Sequence, residues 1–282
     1  SKGRLKECRK VLQKIEPENT VNDLIGQMEV EIEKDRNSAV GWRYLMQPWL
    51  RTPLMIAVCI MFFQQFVGIN TVIYYSPKIF LMAGFESTLS AIWTSVGIGI
   101  VNVVFTVISL YLVDRIGRRK LYFIGLSGIA FSVLCLSACF IYANQLGEIG
   151  RWLMVIFMFG YVAFFAISIG PLGWLVISEI FPQKVRGLGT SIGSLAVWIF
   201  NCIVSFTFFK IIDFFSIPGT EIVVGQTTSE NPAGAFFLYG FIAVLGLVWG
   251  YLFLPETKGL SLEEIEQKWR KNRDCLLYTS PS

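Results

Sequence analysis

The sequence predicts an all-α membrane protein with six transmembrane helices. Of its 282 residues, 54% are hydrophobic and 16% are charged, and the mean hydropathy is +0.58. A typical soluble domain has about 25% charged residues. The charged residues also leave six long uncharged runs, each a candidate membrane-spanning helix: 52–77, 87–113, 121–147, 152–178, 187–209 and 231–255.

The length of these runs supports the membrane prediction. They contain 23 to 27 residues each. An α-helix rises about 1.5 Å per residue, so about 20 apolar residues cross the ~30 Å hydrocarbon layer of a bilayer. The alternative, buried core helices of a large soluble protein, predicts shorter runs with a polar face. Every run is therefore long enough to span a membrane with some tilt.

The basic residues are concentrated on one side of the predicted membrane. Of the 24 Lys and Arg residues, the segments on the other side hold three: Lys78, Arg151 and Lys210. Because cytoplasmic segments are enriched in Lys and Arg, this bias predicts that both termini are cytoplasmic. The net charge of +4 is then explained by topology, and it requires no nucleic acid partner.

Two cytoplasmic segments are predicted to flank a six-helix bundle at 48–256. Residues 1–47 have the apolar periodicity of amphipathic helices. Residues 257–282 begin with a short helical pattern, whereas the last ten, 273–282, fit neither a helix cap nor an anchor. We interpret that tail as frayed or foreign sequence.

Composition argues against an enzyme. The chain has no His, which excludes Ser-His-Asp triads, Cys-His dyads and His-ligated metals. None of the six cysteines forms a Cys-x-x-Cys pair, so structural roles are favoured over redox roles. No nucleophile–base pair or metal-ligand cluster falls at membrane depth, and we therefore predict no catalytic residue, no metal and no cofactor.

Polar side chains that hydrocarbon excludes cluster in the first run. Gln64, Gln65 and Asn70 lie near its middle. Buried amides are costly unless they are hydrogen-bonded, so the cluster predicts a wet cavity or a helix interface. On an ideal helix Gln65 and Asn70 are about 140° apart. They converge on one ligand only if the helix is distorted, and Gly68 is the expected place.

The other runs contribute further candidate ligands. They are two amides, two indoles and two tyrosines that follow Asn70 by one turn: Asn102, Asn201, Trp174, Trp198, Tyr74 and Tyr75. An amide donates and accepts hydrogen bonds, and an indole stacks against the C–H face of a pyranose. Uncharged amides with indoles therefore fit a neutral, polyhydroxylated solute. For each amide alone, hydrogen bonding to a neighbouring helix is the alternative.

Two features indicate conformational change. Gly170 and Gly173 flank Pro171, which lacks the N–H that bonds four residues back. The weakened helix fits a hinge, although kinked structural helices are also common. Acids lie among arginines at the cytoplasmic helix ends, where we expect ion pairs beyond a positive-inside anchor: Asp114, Arg115, Arg118, Arg119, Glu179, Arg186 and Glu256.

At these residues the chain resembles the sugar porters of the major facilitator superfamily, which include glucose facilitators and bacterial sugar–proton symporters. The matching segments are QQFVGINTVIYYSPKIF at 64–80, DRIGRRK at 114–120, GPLGWLVISEIFPQKVRG at 170–187 and PETKGLSLEE at 255–264. Their order and their places at helix ends make the match specific. The resemblance covers the C-terminal half, helices seven to twelve, and implies two inverted three-helix repeats with the solute at the midplane.

The resemblance implies a role for each residue set. It implies sugar contacts for the seven amide and indole residues, namely Gln64, Gln65, Asn70, Asn102, Trp174, Trp198 and Asn201. It implies an outer gate at Tyr74 and Tyr75, and an inner latch formed by the charged residues above. Two positions depart from the family pattern: Val197 replaces an amide found in many members, and Ala166 replaces a Glu of animal facilitators.

The implied function is secondary transport of a neutral monosaccharide, a hexose, pentose or related polyol, by alternating access. The partners implied are the sugar, the lipid bilayer and a missing N-terminal six-helix half. Symport with a proton and facilitated diffusion both stay open, and a non-transporting sugar sensor of the same fold is the alternative function. The expected location is the plasma membrane or a bacterial inner membrane.

Overall fold

The computed structural model describes residues 45–83, 87–215 and 231–259, the backbone at 222–224 and 227–229, and single residues at 21, 25 and 264. The predicted helices of 1–47 and the C-terminal segment with its tail at 273–282 lie almost wholly outside the described residues. The domain boundaries therefore stay predictions.

Eight α-helices within the described ranges form six candidate membrane spans. Two spans are broken, the first into α1 (Arg51–Phe66) and α2 (Ile69–Met82), and the fourth into α5 (Ala143–Ile167) and α6 (Ile169–Glu179). The other four are continuous: α3 (Thr88–Ile116), α4 (Arg118–Ile141), α7 (Arg186–Phe214) and α8 (Ala233–Phe253). The spans are 21 to 37 residues long, with mean hydropathies of 1.9 to 2.3.

Each predicted run coincides with a span, and the largest differences are at the end of the third run and the start of the fourth. The third run was expected to continue to residue 147 and the fourth to begin at 152, but α4 ends at Ile141 and α5 begins at Ala143. Gly147 then adopts φ 53°, a left-handed conformation that favours glycine. The chain therefore turns within this segment even though no charged residue interrupts it.

A two-stranded antiparallel hairpin connects α7 to α8. It pairs Ile222–Val224 (β1) with Thr227–Ser229 (β2), and Val223 lies opposite Thr228. The hairpin lies outside the spans, so the part of the chain that is long and apolar enough to cross a membrane is all helical.

Close helix contacts build the core where α4 meets α5 and α8. A side chain at Gly125 would clash with Ser168 of the fourth span, and one at Gly250 would clash with the Tyr122 ring. Tyr122 also donates a hydrogen bond to the Gly246 carbonyl at 2.9 Å. Small residues let helices approach closely in lipid, where no hydrophobic force drives them together.

The outer surface is strongly apolar. Large hydrophobic side chains are exposed on several spans, among them Trp93 on α3, Phe206 on α7 and Tyr251 on α8. Apolar patches of this extent would promote aggregation in water. Together with the six apolar spans, they indicate an integral membrane protein.

Candidate solute-binding site

A cavity of about 340 Å³, lined by both amides and apolar side chains, lies between the first, second, fourth and fifth spans. All seven residues predicted to bind solute line it: Gln64, Gln65, Asn70, Asn102, Trp174, Trp198 and Asn201. Three of the five predicted gating residues, Tyr74, Gly170 and Pro171, also line it, whereas Tyr75 and Gly173 do not. The structure thus brings the candidate ligands together, and their role in binding stays a prediction.

The break in the first span explains how distant amides meet. Gly68 has φ 87°, so the helix is interrupted where distortion was expected. Asn70 Nδ2 donates to Gln65 Oε1 at 2.6 Å across the break. The two side chains therefore meet across the break, and their convergence on one ligand stays a prediction.

Gln64 links the two broken spans. Gln65 Nε2 donates to Gln64 Oε1 at 3.3 Å, and Gln64 Nε2 donates to the carbonyls of Ile169 and Gly170 at 3.1 and 2.7 Å. These bonds use both the oxygen and the nitrogen of the Gln64 side-chain amide, and Gln64 is only 2% exposed. The Gln64 side chain is therefore better placed to connect the two broken spans than to act as the main hydrogen-bond donor to a solute.

The second and fifth spans supply the opposite wall. Asn102 Oδ1 accepts from Thr106 Oγ1 at 3.4 Å, and Asn201 Oδ1 accepts from Ser205 Oγ at 3.1 Å. Asn201 Nδ2 donates to the Tyr74 hydroxyl at 3.4 Å. Thr106 and Ser205 were not predicted as partners, although each follows its amide by four residues and so lies on the same helix face. Both amides are thus held in place by their own helix.

The two indoles stand at the exposed side of the cavity. Trp174 and Trp198 are both exposed, although both line the cavity. Phe165 and Ile69, which sequence reasoning missed, add apolar lining. Gln64 and Gln65 are therefore more deeply buried than the two indoles.

The fourth span breaks at Ser168, which has φ −127° and ψ −104°. This position is three residues before Pro171, the residue expected to weaken the helix. In a continuous helix the Ile167 carbonyl would accept the Pro171 N–H, which does not exist. Ser109 Oγ on α3 donates to that carbonyl instead, at 2.8 Å. A Cβ on Gly173 would lie 2.8 Å from Gln64 Nε2, so a glycine leaves room for that amide.

The two tyrosines of the predicted outer gate contact the fifth span. Tyr75 stacks on Phe208 with ring centroids 5.5 Å apart, and its hydroxyl donates to the Ser205 carbonyl at 3.4 Å. Tyr74 is half exposed and contacts Asn201. These contacts join α2 to α7, and a gating role stays a prediction.

The charged residues at the predicted cytoplasmic ends form a connected cluster around Arg118. Its guanidinium contacts Glu179 at 2.9 Å and Asp114 at 3.3 Å. The second Glu179 oxygen accepts a hydrogen bond from Thr257 Oγ1 at 2.6 Å. The end of the fourth span is thus bound to the start of the third and to the segment after α8.

Glu256 caps the start of α4. Its two oxygens accept from the backbone N–H groups of Arg118 and Arg119 at 3.1 and 3.2 Å. A carboxylate is favoured there because a helix N-terminus carries partial positive charge. The Arg119 guanidinium donates to the Tyr251 carbonyl at 2.7 Å, which also binds α4 to α8.

Arg115 and Arg186 form no ion pair within the described residues. The Arg115 side chain is exposed, and its carbonyl accepts from Lys258 Nζ at 2.7 Å. Arg186 Nε and Nη2 are buried without a hydrogen-bond partner in the described part of the chain. Glu179 does not pair with Arg186; its oxygens contact Arg118 and Thr257 instead. The latch function of both arginines therefore stays a prediction.

Known proteins share this architecture. Residues 1–269 match the profile of the family described as "Sugar (and other) transporter". The D-xylose-proton symporter of Escherichia coli K12 is 32% identical over 95% of this chain and 51% of its own length. The glucose facilitated diffusion protein of Zymomonas mobilis is 34% identical over 96% of this chain and 54% of its own.

Solved structures agree. The proton:xylose symporter XylE bound to 6-bromo-6-deoxy-D-glucose matches with a TM-score of 0.71 and 32% identity, over 95% of this chain and 52% of that one. The chain spans about half the length of the curated relatives it matches. The family is one of transporters rather than enzymes. On the family profile, the six spans and this structural match, the chain belongs to the sugar transporter family of the major facilitator superfamily.

Proposed function

We propose that this chain is the C-terminal half of a secondary transporter that carries a neutral monosaccharide across a membrane by alternating access. The observation that carries the proposal is the single cavity in which amides of three spans and two indoles meet beside two broken helices. Hexoses, pentoses and related polyols are the solutes that fit this chemistry.

The lining of the cavity favours an uncharged solute. None of its described lining residues carries a charge, whereas five contribute side-chain amides. Amides, with the nearby hydroxyls of Tyr74 and Thr106, offer both donors and acceptors to a sugar. The volume of about 340 Å³ falls within the range for small-molecule sites and leaves room for a sugar ring.

The open side of the cavity supports a partner half. The exposed indoles of Trp174 and Trp198 would meet lipid if the six spans were alone in a bilayer. Relatives about twice as long include a xylose symporter and a glucose facilitator. A second six-helix half would close the cavity from that side, with the solute between the halves and the lipid around both.

Alternating access would use the two breaks and the charged cluster. The breaks fall in the first span of each predicted three-span repeat, where bending requires few helical hydrogen bonds to be broken. Opening on the cytoplasmic side would separate the ion pairs of Arg118 from Glu179 and Asp114. No carboxylate lines the described cavity, so a proton-carrying group in a symport cycle would belong to the other half.

The test is uptake of labelled xylose, glucose and arabinose into proteoliposomes by the transporter that contains both halves. A pH gradient, applied with and without an uncoupler, distinguishes symport from facilitated diffusion. Gln65→Ala is expected to raise KM about 2- to 13-fold, because one hydrogen bond contributes about 0.5–1.5 kcal/mol. Gln145→Ala, which removes an exposed amide outside the cavity, is the matched control.

An unchanged KM for Gln65→Ala would show that the site assignment is wrong. Sugar binding without uptake in the wild type would instead favour the sensor function. Absence of both binding and uptake for every neutral sugar would refute the proposed substrate class.

A further inference from the structure

The break in the first span leaves the Val67 backbone carbonyl without its helical partner. In a continuous α-helix the Val67 carbonyl accepts from the N–H of Thr71, four residues on. Here the N–H groups of Thr71 and Val72 both donate to the Gly68 carbonyl, at 3.1 and 3.3 Å. Val67 is fully buried. A buried, unpaired carbonyl at membrane depth is unfavourable, so the bent geometry needs another donor.

Tyr161 of the fourth span is that donor. Its hydroxyl donates to the Val67 carbonyl at 2.9 Å, and its side chain is 0% exposed. The bond joins α5 to the junction between α1 and α2. A side chain at Gly68 would clash with the Tyr239 ring, so α8 fills the space beside the same junction. The bend is therefore held by a hydrogen bond on one side and by ring packing on another.

The two broken spans exchange these interactions reciprocally. The fourth span supplies Tyr161 to the carbonyl freed in the first. The first span supplies Gln64 to the carbonyls of Ile169 and Gly170, beside the break in the fourth. Each break is thus stabilised by a side chain from the other broken span.

We propose that Tyr161 is a positioning residue of the solute site: its hydroxyl keeps the first span bent at Gly68, so that Gln65 and Asn70 meet. The inference rests on the proposed function, because it takes the cavity to be a sugar site. Tyr161 itself does not line the cavity. Without the hydroxyl, the Val67 carbonyl regains a partner only if residues 67–71 return to α-helical geometry. That change would rotate Asn70 away from Gln65 by up to about 140°.

The matched control is Tyr122. Its hydroxyl also donates to a carbonyl of another helix at 2.9 Å, that of Gly246, and its side chain is also 0% exposed. It lies between α4 and α8 and does not line the cavity. Tyr161→Phe and Tyr122→Phe therefore each remove one buried hydrogen bond from a tyrosine to a carbonyl of another helix, and of the two only the Tyr161 bond lies at the break.

The experiment measures equilibrium binding of radiolabelled xylose and glucose, together with the thermal unfolding midpoint, in the purified transporter with both halves. We expect both variants to unfold at reduced temperatures. Tyr161→Phe is expected to weaken sugar affinity about fivefold or more, whereas Tyr122→Phe stays within about twofold of wild type. Combining Tyr161→Phe with Asn70→Ala is expected to add less than about twofold to the effect of Asn70→Ala alone.

A second measurement does not depend on sugar. Hydrogen–deuterium exchange of the peptide covering 64–74 is expected to change in Tyr161→Phe and to match wild type in Tyr122→Phe. Equal sugar affinities and equal exchange in the two variants would overturn the positioning role. If the wild type bound no sugar, the proposed function would fail, and the exchange result would still decide whether Tyr161 holds the break.

Discussion

Replacing Gly68 with alanine should destabilise the protein for two separable reasons. Gly68 has φ 87°, and a left-handed conformation costs a residue with a Cβ about 1–2 kcal/mol. The new Cβ would also clash with the Tyr239 ring, and overpacking of this kind costs about 1–3 kcal/mol. We therefore expect Gly68→Ala to lower the free energy of unfolding by about 2–5 kcal/mol.

The assay is equilibrium unfolding of the purified transporter in mixed micelles, with increasing SDS as the denaturant. Gly99→Ala is the control, because Gly99 lies within α3 and no atom is near enough to contact a Cβ there. Alanine is a better helix former than glycine by about 1 kcal/mol, so Gly99→Ala should be neutral or stabilising.

A double-mutant cycle separates the two costs of Gly68→Ala. Truncating the ring with Tyr239→Ala removes the clash and leaves the backbone strain. The coupling free energy between the two substitutions should therefore be about 1–3 kcal/mol, the steric part alone. If Gly68→Ala were as stable as Gly99→Ala, or if the cycle showed no coupling, the account of this break would be wrong.

Two further predictions concern the charged cluster and the second break. Arg118→Ala should lower the maximal transport rate on the order of tenfold. It should leave sugar affinity within about twofold, because the ion pairs of Arg118 lie away from the cavity. Transport kinetics measure both effects, and Arg115→Ala, which replaces an exposed arginine without a described ion pair, is the control. Ser109→Ala should cost about 1–3 kcal/mol in the same SDS titration, because the half-buried Ile167 carbonyl, which has no N–H at Pro171 to accept from, loses its donor. Ser191→Ala, an exposed serine bonded within its own helix, should stay near wild type, and equal losses in these two serine variants would contradict the reasoning.

Much of this fold is predictable from the sequence because lipid restricts the alternatives. A segment that crosses hydrocarbon has to be long, apolar and internally hydrogen-bonded, and charges mark where it ends. The same restriction makes polar intruders conspicuous, so Gln65, Asn70 and Asn102 could be selected without knowledge of their neighbours. The left-handed residue between Gln65 and Asn70 was also predictable, because glycine adopts that conformation at low cost.

The partners of these groups were not predictable. Tyr161 and Ser109 occur in apolar runs, where the sequence does not distinguish them from other residues of the core. Only the packing of the helices determines which carbonyl each hydroxyl contacts. The second break lies at Ser168 and not at the residue that the sequence singled out, for a related reason. Pro171 removes a donor, but the carbonyl that loses its partner belongs to Ile167, so the helix opens at Ser168 and not at the proline.

The cavity amides already form hydrogen bonds within the protein, and these bonds would limit the affinity of the cavity for a sugar. A solute that contacts Asn70 or Asn201 has to replace hydrogen bonds that these side chains make to Gln65 and Tyr74. Each exchange gains only about 0.5–1.5 kcal/mol, so three such contacts supply about 1.5–4.5 kcal/mol, which corresponds to dissociation constants in the millimolar range or weaker. Weak binding suits transport, because a solute held tightly at the midplane would leave slowly on the other side. A charged side chain lining the same cavity would bind a solute more strongly. It would also be left buried and unpaired, at a cost in free energy, each time the cavity emptied.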